Sequence, residues 1–467
     1  MKNHHQRSDR FQRMRSFGSE EQQVLKASTN DNPLTEQLME RICAPSNLNQ
    51  AYKRVKANKG AAGIDGMTVD DLFGWIAEHK ESLIESLIAG TYQPQPVRGV
   101  EIPKPGKNKG VRVLGIPCVI DRLVQQAILQ VLEPLFDSTF SGSSYGFRPG
   151  RSAHQALIKA REYVQEGYDI VVDIDVEKFF DRVNHDMLMS RLSKRIGDKR
   201  LLKIIRGFLE SGMMKQGVCI ERVEGLAQGG PLSPLMSNLV LDELDKELER
   251  RGHKFCRYAD DCNIYVKSLR AGERVLQSVK EFLAKYLKLK VNESKSACAH
   301  VDERQFLGYR LLGEGKIVIA AHSLERVKDK VRRITRRNRG VSLERVISDL
   351  NKTLRGWGNY FQLTEWHSQM DGLDRWIRRK VRCYRLKQRK KTGPTAKFLM
   401  SLGVPACSAW PLATSGKGWW HLSKSIPVHH AMNNLWFKEM KLVNLLQQTS
   451  DKSLTKTAVC DIARTVV

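Results

Sequence analysis

Between Asp121 and Phe136 the apolar positions Leu123, Ile128, Val131, Leu132 and Leu135 fall along one stripe of a helix, which predicts a helix packed into a core. Just upstream, residues 93–117 place short β-branched runs on either side of Pro105-Gly-Lys-Asn-Lys-Gly110, the pattern of a hairpin with a basic tip. The run Ile170-Val-Val-Asp-Ile-Asp-Val176 reads as a buried strand, and its alternation puts Asp173 and Asp175 on one face. Lys254–Val266 has two β-rich arms around a polar centre, so a hairpin is predicted with Asp260 and Asp261 at or beside its turn. Between these strands, Ser233 followed by Pro234 starts a helix that Gly252 stops. Farther on, valines, Ile334, Trp376 and Ile377 interleave with charges at helical spacing, predicting basic amphipathic helices at 326–340 and 371–400. The polar first 45 residues predict a mobile extension ending in a helix near Leu34–Cys43.

Composition narrows the class. The 467 residues are 41% hydrophobic and 28% charged, an ordinary globular balance with length for several cores. No apolar run is long enough to cross a bilayer, and the N-terminus lacks the apolar core of a secretion signal, so a soluble, cytoplasmic protein is expected. Nine cysteines without a C-x-x-C pair argue against zinc fingers and disulfide frameworks alike. The net charge of +27 is uneven, because residues 301–467 hold 32 basic and 13 acidic side chains. Such a concentration attracts polyanions, since each phosphate neutralised releases a counterion. Nucleic acid is the first partner to consider, with an anionic membrane surface as the rival.

The candidate chemistry lies in the carboxylates. Adjacent Asp260 and Asp261 repel, and a buried strand rarely carries carboxylates without a partner. A strand-end aspartate and a hairpin pair can together hold two Mg²⁺ ions, which prefer hard oxygen ligands. The Gln228-Gly-Gly-Pro231 turn lets backbone approach a ligand at the start of the helix from Ser233. Tyr52–Gly66, a basic helix end running into three glycines, suits a phosphate backbone.

Taken in order, Asp175-Val-Glu-Lys-Phe-Phe-Asp181, Gln228-Gly-Gly-Pro-Leu-Ser-Pro234 and Tyr258-Ala-Asp-Asp261 resemble a reverse-transcriptase palm. With Gly63-Ile-Asp-Gly66, Tyr145-Gly-Phe-Arg-Pro-Gly-Arg-Ser152, Leu307-Gly-Tyr309 and Leu354-Arg-Gly-Trp-Gly-Asn-Tyr-Phe361, the chain is similar to group II intron-encoded reverse transcriptases and maturases over roughly residues 50–440. The resemblance implies an α+β right-hand polymerase followed by an all-helical thumb and maturase region. Its divisions would be an extension at 1–45, fingers at 46–165, palm at 166–312, thumb and maturase-like helices at 313–400, and a basic, aromatic segment at 401–467. It also implies that Asp175, Asp260 and Asp261 hold two catalytic Mg²⁺ ions, and that Phe180 excludes a ribonucleotide 2′-hydroxyl. Gln228 and Gly229 would lie beneath the incoming nucleotide, with Arg112, Lys104 and Lys295 as triphosphate or template contacts. Asp173 sits about 7 Å earlier along the strand, and Asp181 is assigned a cap or structural hydrogen bond.

For the maturase role, the RNA-binding candidates are Arg332, Arg333, Arg336, Arg337, Arg355, Trp357, Arg378, Arg379, Lys380 and Arg382. Implied partners are group II intron RNA, an RNA template with a DNA primer, dNTPs and target DNA, and no membrane. Residues 401–467 show no paired cysteines of the endonuclease that many relatives carry, so the variant without it is expected. Alternative readings are a splicing cofactor without polymerase activity and an intron-independent defence or repair reverse transcriptase.

Overall fold

A computed structural model describes residues 37–103 and 110–448 of the chain. The expected mobile extension up to residue 36, the tip of the first hairpin and Cys460 lie outside those residues. Helices α1 (Leu38–Cys43), α2 (Pro45–Asn58) and α3 (Leu72–Ile88) lead into the hairpin β1 (Val97–Pro103) and β2 (Val111–Ile116), which pair antiparallel from Arg98↔Ile116 to Pro103↔Val111. Helix α4 (Val119–Asp137) follows. It packs between α2 and a later helix, so Val124, Ala127 and Phe136 are buried besides Leu123, Ile128, Val131 and Leu132. Leu135 is only partly buried, and the buried surface is wider than a single stripe.

After α5 (Ala153–Gln165), strand β3 (Ile170–Ile174) crosses the centre of the molecule. Helices α6 (His185–Ser193) and α7 (Lys199–Glu210) then lead to the hairpin β4 (Met213–Lys215) and β5 (Val218–Ile220). This hairpin turns through Gln216 and Gly217, both in the left-handed region that a two-residue turn demands. β4 runs parallel to β1, Val97 opposite Met213, so a segment nearly a hundred residues beyond β2 completes a four-stranded sheet ordered β2-β1-β4-β5.

Helix α8 (Ser233–Arg250) and the hairpin β6 (Lys254–Tyr258) and β7 (Asp261–Val266) follow, then α9 (Leu269–Phe282) and β8 (Ala297–His300). They build a second sheet, ordered β6-β7-β3-β8 with every pair antiparallel. Its two faces serve different cores. Ile170, Val172 and Ile174 join the large core shared with the fingers helices, while Val171 and Tyr265 join a core shared with the following region. The two-residue period therefore places Asp173 and Asp175 on the Val171 side.

Strands β9 (Tyr309–Leu311) and β10 (Ile317–Ile319) form a separate ribbon, and among the described residues beyond 313 β10 is the only strand between helices and loops. Helices α10 (Ala321–Ile334), α11 (Leu343–Tyr360), α12 (His367–Arg389) and α13 (Thr392–Ser401) come next. The basic stretch 326–340 is helical only to Ile334, because Ser342 opens a new helix by accepting from the Arg345 N–H and Gly340 turns with φ +68°. On α12 the buried positions Met370, Leu373, Ile377, Val381 and Tyr384 keep helical spacing. Short helices between Ala406 and Glu439 close a third core around Leu399, Val428 and Met432. Asp374 ties down the last described segment by accepting from the Leu445 and Leu446 N–H groups. Among the described residues no helix is long and apolar enough to cross a membrane.

Candidate active site

The site forms where the palm sheet runs out. In the β6–β7 hairpin Tyr258 pairs with Asp261, leaving Ala259 and Asp260 as the turn, with Ala259 at φ +57°. On the neighbouring strand the β3–β7 ladder ends at Ile174↔Cys262, so one step farther Asp175 and Asp261 leave the sheet side by side. Asp175 is held there by its backbone: its N–H donates to Ser296 Oγ at 2.9 Å and its carbonyl accepts from the Asn292 N–H at 2.8 Å.

Three carboxylates at one sheet end strain the local electrostatics. Burial, and then the charges of Asp260, Asp173 and Asp175, push the Asp261 carboxyl up to about 7. Burial, and then Asp175, raises Asp260, while Arg112 and Lys295 oppose the rise. Lys295 donates to both oxygens of Asp175, at 3.0 and 3.2 Å. Asp173 has a different partner. Arg304 donates to it at 2.6 and 3.1 Å and also to the Lys295 carbonyl at 2.5 Å, which fixes the lysine's segment to β3. Among the described residues no group of three or more His, Cys, Asp or Glu side chains is gathered tightly enough to hold a metal ion.

Above the aspartates opens a cleft of about 680 Å³, lined among others by Arg112, Phe180, Gln228, Gly229, Asp260 and Asp261. The fingers strand β2 docks on the 228–231 loop. Gly115 N–H donates to the Gln228 carbonyl at 2.9 Å, and Arg112 Nε donates to the Gln228 side chain. Gly229 sits at φ +132°, where a Cβ would lie 2.6 Å from the Gly115 carbonyl oxygen, so only glycine allows this approach. Phe180 stands in a short 3₁₀ turn, Phe179–Asp181. Its ring meets the buried Phe179 edge-on at 5.3 Å and remains half-buried on the cleft side.

Asp175, Asp260, Asp261, Phe180, Gln228, Gly229, Arg112 and Lys295 thus assemble around one cleft or its carboxylates, whereas Lys104 lies outside the described residues. Asp181 is exposed and caps nothing; Asn184 caps α6 by accepting from the Met187 N–H. Two cleft residues escaped the sequence reading. Phe147 lies inside the quoted Tyr145–Ser152 motif, yet nothing local announces its left-handed backbone (φ +58°) or its 47% exposure. Arg122, almost buried, donates to the Ala61 carbonyl, a contact that needs the α4 and 60–66 segments to meet.

Beyond the cleft, Arg332, Arg333, Arg336, Arg337 and Arg355 are exposed. Arg378 is half-buried, and Trp357 packs on Phe361 with ring centres 4.7 Å apart. Arg379 lies 3.8 Å over the Trp420 ring, and Lys380 sits near both Trp376 and Trp420. Arg382 contradicts its expected role as an RNA contact. Only 5% exposed, it donates to the Met432 carbonyl at 2.9 Å and bonds His429, so it packs the C-terminal core and presents no charge to a ligand.

The chain matches the family Reverse transcriptase (RNA-dependent DNA polymerase) over residues 102–311, and Group II intron, maturase-specific domain over residues 324–403. It is similar to Protein YkfC of Escherichia coli (strain K12), 33% identical over 327 residues, covering 61% of this chain and 85% of that protein. It is also similar to Group II intron-encoded protein LtrA of Lactococcus lactis subsp. cremoris, 31% identical over 326 residues, covering 56% of this chain and 54% of LtrA. The chain thus spans about half the length of that relative. Among solved structures, a chain of a partial Cas6-RT-Cas1–Cas2 complex is 30% identical, with 53% of this chain and 42% of that chain covered and a TM-score of 0.35. The chain belongs to the group II intron reverse transcriptases and maturases, with an RNA-directed DNA polymerase domain followed by a maturase-specific domain.

Proposed function

We propose that this chain extends a DNA primer on an RNA template with dNTPs, and that its maturase region binds group II intron RNA to promote splicing and insertion into target DNA. The observation that carries the polymerase reading is the meeting of Asp175, Asp260 and Asp261 at one sheet end beneath a cleft. Reverse transcriptases generally use divalent metal ions. The donor type fits Mg²⁺, since all three groups are carboxylates, and their combined negative charge already draws a cation, the Lys295 ammonium, to Asp175, although the three side chains do not stand gathered as a closed ligand set in this structure. Asp175, Asp260 and Asp261 would hold two such ions, which when bound supply charge neutralisation for the phosphates and acidify the primer 3′-hydroxyl. The chain's own groups do the rest. Arg112 and Lys295 offer positive charge to the triphosphate, the 228–231 backbone supports the nucleotide, and the Phe180 ring fills the space a 2′-hydroxyl would need.

Phe180→Ala is therefore expected to lower the preference for dNTP over rNTP by about 100-fold, the scale on which an apolar wall rejects one added hydroxyl. Single-nucleotide extension with matched dCTP and rCTP measures it, and an unchanged ratio removes Phe180 from that role.

The RNA reading rests on exposed arginines around the end of α10. Replacing Arg333, Arg336 and Arg337 together by alanine is expected to flatten the slope of log affinity against log salt by about 2 to 3, roughly one counterion per lost phosphate contact. Filter binding of intron RNA at several KCl concentrations reads this slope, and the same slope with the same affinity would place the RNA elsewhere.

A further inference from the structure

The strand that enters the Ala259–Asp260 turn carries a fully buried charge, Arg257, with 0% exposure. A buried guanidinium is rare unless its donors are satisfied, and here they are. Nε and Nη2 donate to Asp245 at 2.7 and 2.6 Å, Nη1 to Asn238 Oδ1 at 3.0 Å, and Nη2 to Ser144 Oγ at 2.7 Å. Asp245 and Asn238 belong to α8 and Ser144 to the loop before α5. That loop grips the Arg257 backbone on both sides: Arg257 N–H donates to the Ser143 carbonyl at 2.9 Å, and its carbonyl accepts from Tyr145 N–H at 2.8 Å. The remaining bond goes forward, from Nη1 to the carbonyl of Ala259 at 2.9 Å.

We infer that Arg257 is a positioning residue, which fixes the Ala259 carbonyl and with it the direction in which Asp260 and Asp261 leave the hairpin. Three points carry this. Ala259 holds a left-handed backbone that crowds the Cβ of an L-residue, so the turn needs outside support to keep that shape. Stability alone gives little reason for the ion pair, because apolar residues of similar volume often replace such a pair without loss. Finally, the planar fork of a guanidinium can satisfy Asp245, Asn238, Ser144 and Ala259 at fixed angles, which the single ammonium of lysine cannot. The inference rests on the proposed ion-holding role of the aspartates.

Two full-length variants test it: Arg257→Lys, and Arg257→Met with Asp245→Leu, which exchanges the pair for apolar volume. Thermal melting, Mn²⁺ binding by loss of the free-ion paramagnetic resonance signal, and kcat and KM for a single dNTP addition are measured for each. Arg191→Lys is the comparator, because Arg191 also contacts α8, through the Val240 carbonyl and Glu243, and does not touch the turn. In at least one folded Arg257 variant, Mn²⁺ affinity and kcat are each expected to fall about 10- to 100-fold, as for lost support around a metal site. The dNTP KM should stay within about threefold, since the nucleotide contacts remain. Arg191→Lys should move only the melt. Folded Arg257 variants with wild-type Mn²⁺ affinity and kcat would overturn the inference. So would equal losses in Arg191→Lys, or failure of both Arg257 variants to fold, which would make the guanidinium a requirement of folding. A wild-type protein that binds no Mn²⁺ sinks the underlying ion-holding role instead.

Discussion

Asp260→Asn is expected to lower DNA synthesis on an RNA template by about 10³-fold or more, since several kcal/mol of charge stabilisation at roughly 1.4 kcal/mol per decade is lost. Asparagine keeps the shape of the turn residue and removes only the negative charge, so the fold has no reason to fail. The site even loses repulsion, because the Asp260 charge is one of the groups that push Asp261 up to about 7. RNA affinity should stay within about twofold, because the exposed arginines proposed to contact RNA lie on other elements. Asp175→Asn should behave alike, and it also frees Lys295 from its partner. Primer extension beside filter binding measures both quantities. Undiminished synthesis in either variant would remove that carboxylate from the reaction. If the Asp260 variant still splices its cognate intron, the maturase role is separable from polymerisation; if splicing is lost as well, the two share the site.

Gly146→Ala should also lower activity, here through packing. A Cβ on Gly146 would lie 2.2 Å from the Ala259 nitrogen, 2.9 Å from the Tyr258 carbonyl carbon and 3.1 Å from the Ala259 Cα, all backbone of the turn that bears Asp260. Neither side can retreat cheaply. The Gly146 carbonyl is held by Asn238 Nδ2 at 2.9 Å, and the Tyr145 N–H is tied to the Arg257 carbonyl. Overpacking of this kind costs about 1–3 kcal/mol. A shift of the turn by about 1 Å should lower kcat by about 100-fold. Melting curves and single-turnover rates test the two parts. A variant with unchanged melting and rate would show that the turn has room to move.

How much of this could be read along the chain varies from element to element. The β6–β7 hairpin is local chemistry, two β-rich arms with an Ala-Asp turn, and its alternation and turn position follow from neighbours in sequence. The same holds for β3 and for α4. The fingers sheet differs: β4 is a three-residue strand whose place beside β1 has no local mark, since parallel pairing joins segments far apart in sequence. On α12 periodicity marks a buried face, but Arg382 lies on it because the 426–432 segment folds over that turn and supplies acceptors.

The resemblance carried by the Asp175–Asp181, Gln228–Pro234, Tyr258–Asp261 and Leu354–Phe361 motifs, in their order, already implied an α+β reverse transcriptase with a maturase region, while strand period and turn chemistry, properties of short stretches, placed the carboxylates on their strand and hairpin. Only the tertiary structure decided which carboxylates are committed elsewhere. Asp173 and Asp175 are equivalent by strand period, yet Arg304 takes the first while Asp175 emerges next to Asp261. Arg257, likewise, is one more basic residue in the sequence, and folding makes it the buried link between the Ala259 turn and α8. In both cases the physical reason is that a charge acquires its role from partners more than ten residues away, which only the packed chain brings within hydrogen-bond reach.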